Sequence, residues 1–155
     1  MTLAAEVLQR ARNLGVMIAT AESCTGGLIA ATLTDVPGSS DVVDRGFITY
    51  SNTAKIDMLG VARVLIETHG AVSEEVAEAM AKGALERSDA AFAVSVTGIA
   101  GPGGSEHKPE GRVCFGLASK AETKTETIDF GAMGRTEVRL ATVNHALHLL
   151  HHALA

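Results

Sequence analysis

The chain opens with apolar residues at helical spacing, followed by a short apolar run without polar alternation. The helical pattern ends at Leu14, and Gly15 stands where a C-cap glycine is favoured. Val16–Thr20 has the pattern of a strand that is buried on both faces. The sequence therefore predicts a helix and then a buried strand. The apolar positions of the helix are Leu3, Val7, Leu8, Ala11 and Leu14.

The rest of the chain continues this alternation of helices and strands. Ser73 is a favoured N-cap, and two glutamates follow it in the first helical turn, where they suit the helix dipole. The other predicted elements are a helix over Gly27–Leu33, a turn over Val36–Ser40, a strand over Val42–Tyr50, a helix over Asn52–Leu59, the Ser73-capped helix to Arg87, a strand over Ala91–Val96, strands over Val113–Ala118 and Thr125–Phe130, and a final helix from about Arg135. This order favours one α/β domain over residues 1–155, with three α/β/α layers and a mixed sheet.

Candidate chemistry is concentrated where the first buried strand ends, in the stretch "TAESCTGG" at residues 20–27. The stretch holds three nucleophile types, Ser23, Cys24 and Thr25, and two glycines. A second turn rich in glycine and hydroxyls, Thr97–Gly104, follows another buried strand. Ligands of open α/β sheets gather beyond the carboxyl ends of the strands, so neighbouring strands would open both turns onto one crevice. Backbone amides at such a corner favour a phosphate, a carboxylate or a developing oxyanion.

The nucleotide-binding and hydrolase motifs that would identify a function are missing. The sequence contains no G-x-x-x-x-G-K-[ST] phosphate loop, no G-x-G-x-x-G after a strand and no G-x-S-x-G. A serine nucleophile needs a base, and a desolvated lysine can serve. Lys55 follows the polar cluster Tyr50-Ser51-Asn52, but its spacing alone favours a solvated lysine on a short helix.

Two further residues of the first turn leave alternatives open. Cys24 at a helix N-terminus has the setting of a thiolate nucleophile, but the first histidine is His69 and a buried, inert cysteine is the simpler interpretation. Glu22 either orients a partner or caps a backbone amide, and the sequence does not choose between these roles.

The last helix carries two groups of polar side chains. Four histidines lie close together, but the three at positions 145, 148 and 152 fall opposite the predicted apolar stripe, and no acidic or thiol ligand accompanies them. Solvated side chains or a subunit contact are therefore favoured over a metal site. The predicted stripe is Leu140, Val143, Leu147, Leu150 and Leu154, which suits either core packing or helix pairing in a dimer. Arg135 and Arg139 oppose the helix dipole, which indicates either a bound anion or an ion pair with Glu137 or another carboxylate.

Composition narrows the function classes. The formal net charge of −5 argues against a nucleic-acid binder that relies on phosphate contacts. No apolar run approaches the roughly 20 residues needed to span a bilayer, and the N-terminal segment does not resemble a signal peptide. Two cysteines without metal-ligand spacing fit a reducing compartment. We therefore expect a soluble cytoplasmic domain.

Three segments together resemble the C-terminal domain family of the competence-damage-inducible protein CinA, which also occurs alone as nicotinamide-nucleotide amidohydrolase. The segments are "TAESCTGGLIAATLTDVPGSSDVVDRGFITYSNTAK", "HGAVSEEVAEAMAKGAL" and "AVSVTGIAGPGGSEHKPEGRV". They run in family order and cover most of residues 20–113. The last forty residues match weakly, mainly through Arg135 and Arg139. The match includes no part of the N-terminal molybdopterin-binding-like domain that two-domain members carry, so no activity of that half is expected.

The resemblance implies roles for particular residues. Ser23 is the expected nucleophile and Lys55 its base, with Tyr50 and Thr97 as further catalytic positions. The arginine early in the last helix is expected to hold a phosphate, with Arg135 favoured over Arg139. The remaining expected substrate-binding positions are Thr25, Gly26, Ser40 and Gly98.

The activity that the resemblance implies is hydrolysis of the carboxamide of nicotinamide mononucleotide, giving nicotinate mononucleotide and ammonia in pyridine nucleotide salvage. Neither a metal nor an organic cofactor is expected, and the expected partners are the nucleotide substrate and, for a homo-oligomer, further copies of the chain. The alternative from another class is a non-catalytic nucleotide-sensing or competence-associated module on the same fold.

Overall fold

The computed structural model describes residues 1–155 as an alternation of helices and strands around one sheet. The helices are α1 (Leu3–Leu14), α2 (Leu28–Thr34), α3 (Asn52–Leu59), α4 (Arg63–His69), α5 (Glu74–Glu86) and α6 (Arg135–Ala153), and a 3-10 helix spans Ser39–Asp41. The strands are β1 (Ile18–Glu22), β2 (Val43–Ile48), β3 (Phe92–Gly98), β4 (Arg112–Ser119) and β5 (Thr123–Asp129). The predicted α/β class is therefore confirmed.

The sheet is mixed, in the order β2-β1-β3-β4-β5. Strand β1 runs parallel to both of its neighbours, β2 and β3, whereas β4 and β5 continue the sheet in antiparallel fashion. The carboxyl ends of β1, β2 and β3 consequently meet at one edge. The chain leaves β1 toward β2 on one side and returns to β3 on the other side, so a crevice opens beside the end of β1.

Helices cover both faces of the sheet, and each face has its own core. Helices α1, α2 and α6 pack on one face around residues such as Leu8, Ile29 and Leu150. Helices α3, α4 and α5 pack on the other face, where β1 presents Ala19 and Ala21. All five residues of β1 are buried, as expected of a strand covered on both faces, although β1 ends in the carboxylate of Glu22.

Local sequence signals set several helix ends. Gly15 adopts a left-handed conformation, with φ of 67°, and ends α1. The hydroxyl of Ser73 accepts a hydrogen bond from the Val76 amide and begins α5. Both caps agree with the sequence-based prediction.

The structure corrects the prediction at other points. Helix α4 is not among the predicted elements, β1 runs from Ile18 to Glu22 rather than from Val16 to Thr20, and β2 ends at Ile48 rather than at Tyr50. In α6, Leu140 is 51% exposed, and Val138 and Ala146 are buried. The predicted apolar stripe is therefore wrong at its first position, because tertiary packing selects a face that begins at Val138.

The histidines of α6 do not share one environment. His148 and His152 are exposed, whereas the His145 ring packs edge-on against Phe115, with centroids 4.6 Å apart, and contacts the Glu126 carboxylate. The interpretation of His145 as solvated is therefore wrong. No group of three metal-ligating side chains is clustered in this chain, and none of its helices has both the length and the apolarity needed to cross a membrane.

Candidate active site

Ser23 lies directly after β1, at the edge where the three parallel strands end. Its amide donates to Val96 O at 3.1 Å, and the Thr49 amide donates to Glu22 O at 2.8 Å. These bonds fix the backbone on both sides, toward β3 and toward β2. Gly26 and Gly27 then turn the chain into α2 with φ values of 58° and 106°, which residues with a side chain rarely adopt.

Lys55 approaches Ser23 from α3. The Ser51 hydroxyl caps this helix by accepting from the Ala54 amide at 3.0 Å, which places Lys55 one turn into it. Lys55 shares the buried face of the helix with Leu59, four residues on. Its side chain is 1% exposed, so the interpretation as a solvated lysine is wrong. Burial lowers the pKa of Lys55 below its ordinary value of 10.5, and the charge of Glu106 opposes this shift only in part.

The Lys55 amine makes three polar contacts. Nζ lies 2.9 Å from Ser23 Oγ, 3.0 Å from Thr49 O and 3.3 Å from Tyr50 O. Carbonyl oxygens only accept hydrogen bonds, and a neutral amine has two N–H groups and one lone pair. The two carbonyls can therefore take both N–H groups of neutral Lys55, which leaves the lone pair for the Ser23 hydroxyl proton.

The Cys24 thiol is buried and unreactive by the same physical reasoning. It is 5% exposed, and burial raises its pKa to about 12. A thiol with this pKa is almost entirely protonated near neutral pH, and the thiolate is the nucleophilic form. The structure therefore favours the inert interpretation of Cys24.

The free backbone amides near Ser23 are few. The Ser23 amide is bonded to Val96 O and the Gly26 amide to Ser23 O. The amides of Cys24, Thr25 and Gly27 donate to no other residue. Of these three residues, only Cys24 lines the cavity beside Ser23, so its amide is the available donor for a negatively charged oxygen there.

A cavity of about 500 Å³ opens over the pair and falls in the usual size range of small-molecule sites. Six of the predicted site residues line it, namely Ser23, Tyr50, Lys55, Thr97, Gly98 and Arg135. Four do not, namely Thr25, Gly26, Ser40 and Arg139. The structure thus brings together most, but not all, of the predicted site.

Ser40 is a predicted site residue that the topology of the sheet separates from the cavity. It is exposed in the 3-10 helix that precedes β2. Because β2 runs parallel to β1, the 3-10 helix lies at the amino ends of these strands, whereas Ser23 lies at their carboxyl ends. The fold therefore does not bring Ser40 to the cavity.

Arg135 joins two sides of the cavity. Nη1 donates to Gly101 O at 2.7 Å and Nη2 donates to the Tyr50 hydroxyl at 3.0 Å. No carboxylate pairs with it, which removes the ion-pair interpretation. The Tyr50 hydroxyl accepts the bond from Arg135, so its own proton is free to donate to a molecule in the cavity. Tyr50 is 61% exposed, which leaves it accessible to such a molecule.

Arg139 supports the nucleophile turn instead of facing the cavity. Nε donates to Cys24 O and Nη2 donates to Thr25 O, each at 3.1 Å. These bonds hold the carbonyl groups of the two residues that follow Ser23.

Thr97 and Glu106 add two further polar side chains to the cavity lining. The Thr97 hydroxyl donates to Ala71 O at 2.8 Å, so in this state only its lone pairs are free. Glu106 is a cavity residue that sequence reasoning missed, and one of its oxygens accepts from the Ala71 amide at 3.1 Å. No local pattern marks it, because its place depends on how the loop after β3 folds over the loop before α5.

The chain matches the sequence profile of the CinA C-terminal domain over residues 1–154. It is 57% identical over 145 residues to a CinA-like protein of Chlorobium phaeobacteroides, with 90% of this chain and 34% of that protein covered. A CinA-like protein of Mycobacterium avium is 52% identical over 148 residues, with 90% and 33% covered. The chain thus spans about a third of the length of these curated relatives.

Solved structures agree with this match. The competence/damage inducible protein CihA from Agrobacterium tumefaciens is 54% identical and superposes with a TM-score of 0.94 over 98% of this chain and 93% of that one. The competence damage-inducible protein A from Klebsiella pneumoniae is 36% identical, also with a TM-score of 0.94, over 98% and 94%. On these grounds, the chain belongs to the CinA C-terminal domain family.

Proposed function

We propose that this domain is an amidohydrolase that converts nicotinamide mononucleotide into nicotinate mononucleotide and ammonia. The observation that carries the proposal is the buried contact of 2.9 Å between Lys55 Nζ and Ser23 Oγ. It supplies a nucleophile and a base in hydrogen-bond reach, which is the geometry that acyl transfer requires. The substrate is inferred from the family resemblance of the motifs around these residues.

The acylation step uses the neutral form of Lys55. Its lone pair takes the Ser23 hydroxyl proton as Oγ attacks the carboxamide carbon, and the carbonyl π electrons move to oxygen. The amide of Cys24 is the proposed donor to this oxyanion, since Cys24 lines the cavity and its amide donates to no other residue. When the tetrahedral intermediate collapses, the C–N bond breaks and protonated Lys55 gives its proton to the departing ammonia.

Deacylation repeats the step with water. Neutral Lys55 takes a proton from water, whose oxygen attacks the ester carbon, and the proton returns to Ser23 Oγ as the C–O bond breaks. The Tyr50 hydroxyl is the proposed second proton donor, because its proton is uncommitted and it faces the cavity. Thr97 is a weaker candidate for oxyanion donation, because its proton is directed at Ala71 O.

Arg135 is the proposed anchor for the substrate phosphate. It lines the same cavity as Ser23, and its charge has no carboxylate partner. A guanidinium binds phosphate through charge-assisted hydrogen bonds. Arg135 has five N–H groups and uses only two of them for Tyr50 and Gly101, so it can bind phosphate and keep both bonds.

The test is an ammonia-release assay with a panel of amides. We expect turnover of nicotinamide mononucleotide, with much lower activity on free nicotinamide and on glutamine. Turnover of free nicotinamide without the mononucleotide would overturn the substrate assignment. Binding of the mononucleotide without ammonia release would instead favour a nucleotide-sensing module.

A further inference from the structure

Glu22 is a buried carboxylate that directly precedes Ser23. It is 1% exposed, and its two oxygens accept three hydrogen bonds, from Thr25 Oγ1 at 2.5 Å, from the Ile29 amide at 2.9 Å and from the Ala30 amide at 3.0 Å. No cation donates to it. Burying a carboxylate is costly unless its oxygens are hydrogen-bonded, and here the donors are supplied by the segment that follows the nucleophile.

The three bonds close a loop around Ser23. Glu22 is the last residue of β1, Thr25 lies within the turn, and the two amides belong to the first turn of α2. The N-cap of α2 is Gly27, which has no side chain to accept these amides. Glu22 therefore joins the end of the strand to the start of the helix across the turn that carries Ser23.

The other bonds of this turn show what Glu22 adds. The sheet fixes the backbone before Ser23, and Arg139 holds the carbonyls of Cys24 and Thr25. Glu22 holds the Thr25 side chain and the helix start from inside the core. Lys55 is fixed independently by α3 and by its two carbonyl acceptors, so a shift of the turn changes the Ser23–Lys55 distance directly.

We propose that Glu22 is a positioning residue that holds Ser23 Oγ against Lys55 through its bonds to Thr25 and the start of α2. The inference rests on the proposed function only in that it assigns Ser23 as the nucleophile. It differs from simple helix capping, because capping alone predicts a loss of stability without a selective loss of nucleophile reactivity.

The test compares Glu22→Gln, Thr25→Val and Thr25→Ser with the unaltered protein. Glutamine has the size of Glu22 but replaces one carboxylate oxygen, an acceptor, with an NH2 donor. That donor then faces another donor of the turn, and the hydrogen bond between them is lost. Valine removes the Thr25 hydroxyl and serine retains it. Thr2→Ala is the matched control. The Thr2 hydroxyl caps α1 by accepting a hydrogen bond of 3.1 Å from the Ala5 amide. Its loss therefore removes a helix cap that has no role in the site.

Two measurements are made on each variant whose circular dichroism spectrum shows that it is folded. The first is kcat and KM for ammonia release from nicotinamide mononucleotide. The second is covalent labelling of Ser23 by phenylmethanesulfonyl fluoride, followed by mass spectrometry, which needs no knowledge of the substrate. For Glu22→Gln we expect both kcat and the labelling rate to fall about 100-fold, as for a displacement near 1 Å, with KM changed less than about threefold. Thr25→Val should lose roughly tenfold in both rates, and Thr25→Ser should stay within about threefold.

The outcomes separate this inference from the proposed function. If the mononucleotide is not hydrolysed but Ser23 labels and the variants slow that labelling, the positioning role stands and the substrate assignment fails. If Glu22→Gln and Thr25→Val turn over and label like Thr2→Ala, Glu22 is only a helix cap. Failure of Ser23 to label in the unaltered protein would also overturn the inference, because no activated nucleophile would exist to position. Should Glu22→Gln not fold, the Thr25→Val and Thr25→Ser pair decides.

Discussion

Lys55 and Ser23 are 32 residues apart in sequence, and their reactive atoms lie 2.9 Å from each other inside the protein. Parallel pairing of β1 with β2 brings them together, because its register ends with Glu22 beside Ile48. One strand then continues into the Ser23 turn and the other into α3. The geometry of the pair is thus a property of the sheet, and variants of either side chain can be compared on an unchanged scaffold.

The buried position of Lys55 predicts how activity depends on pH. Because burial lowers the pKa of Lys55 below 10.5, its neutral form gains population as pH rises through that lowered pKa. We expect kcat/KM to rise with pH along a single acid limb and to level off above it. Since the unfolded chain binds the extra Lys55 proton, the free energy of unfolding should also rise with pH above the lowered pKa. From about pH 9 upward Cys24 opposes this rise, because burial raises its pKa from 9.0 to about 12 and the folded chain then binds the extra thiol proton.

Lys55→Arg is the matched variant for this prediction. Arginine keeps a positive charge and hydrogen-bond donors but does not deprotonate in proteins. We expect the Lys55→Arg variant to release no ammonia above background at any pH up to 10. An arginine variant with the pH profile of the unaltered protein would show that Lys55 is not the base.

Arg135 should contribute to binding and little to the chemical step. Charge-assisted hydrogen bonds contribute about 1.5–3 kcal/mol, so Arg135→Ala should raise KM for nicotinamide mononucleotide between about tenfold and 150-fold. Nicotinamide riboside, which lacks the phosphate, is the control substrate. An equal rise in KM for both substrates would contradict a phosphate contact.

Tyr50 and Arg135 should act as a coupled pair. The Tyr50 hydroxyl accepts a bond of 3.0 Å from Arg135, so the effects of Tyr50→Phe and Arg135→Lys should not add. A double-mutant cycle on kcat/KM should give a coupling of about 0.5 kcal/mol or more. Additive effects would mean that the bond is absent in the working enzyme.

Arg139 should affect both stability and turnover through the Ser23 turn. Arg139→Met keeps much of the aliphatic stem and removes two bonds to the Cys24 and Thr25 carbonyls. We expect a loss of about 1–3 kcal/mol in the free energy of unfolding and a lower kcat, with KM for the mononucleotide little changed. A KM effect as large as that of Arg135→Ala would show that Arg139 also contacts the phosphate.

Sequence patterns predicted the fold best where local and tertiary preferences agree. The helix ended by Gly15, the cap at Ser73 and the buried strand β1 all carry strong local signals. Helix α4 does not, since Ala62 provides no side-chain cap and the helix has only seven residues. The buried face of α6 was misjudged at Leu140 because its apolar residues permit more than one face, and packing selects among them.

The site was predictable in part, and the reasons are physical. The end of a buried strand marked the turn that holds Ser23, Cys24 and Thr25, and family resemblance selected Ser23 among them. Lys55 shares its buried face only with Leu59, which is a weak pattern on a short helix. The Lys55 amine is held by the backbone carbonyls of Thr49 and Tyr50, which no side-chain pattern reveals. Family resemblance therefore supplied Lys55, and the structure supplied the arrangement around it.

The choice between the adjacent hydroxyl and thiol tests the account most directly. The measurement is the initial rate of ammonia release from nicotinamide mononucleotide by Ser23→Ala and Cys24→Ala, which make matched small replacements in one turn. We predict that Ser23→Ala loses at least about 10³-fold in kcat, whereas Cys24→Ala stays within about tenfold of the unaltered protein, since the Cys24 thiol is protonated and only packs. An active Ser23→Ala beside an inactive Cys24→Ala would contradict the serine mechanism.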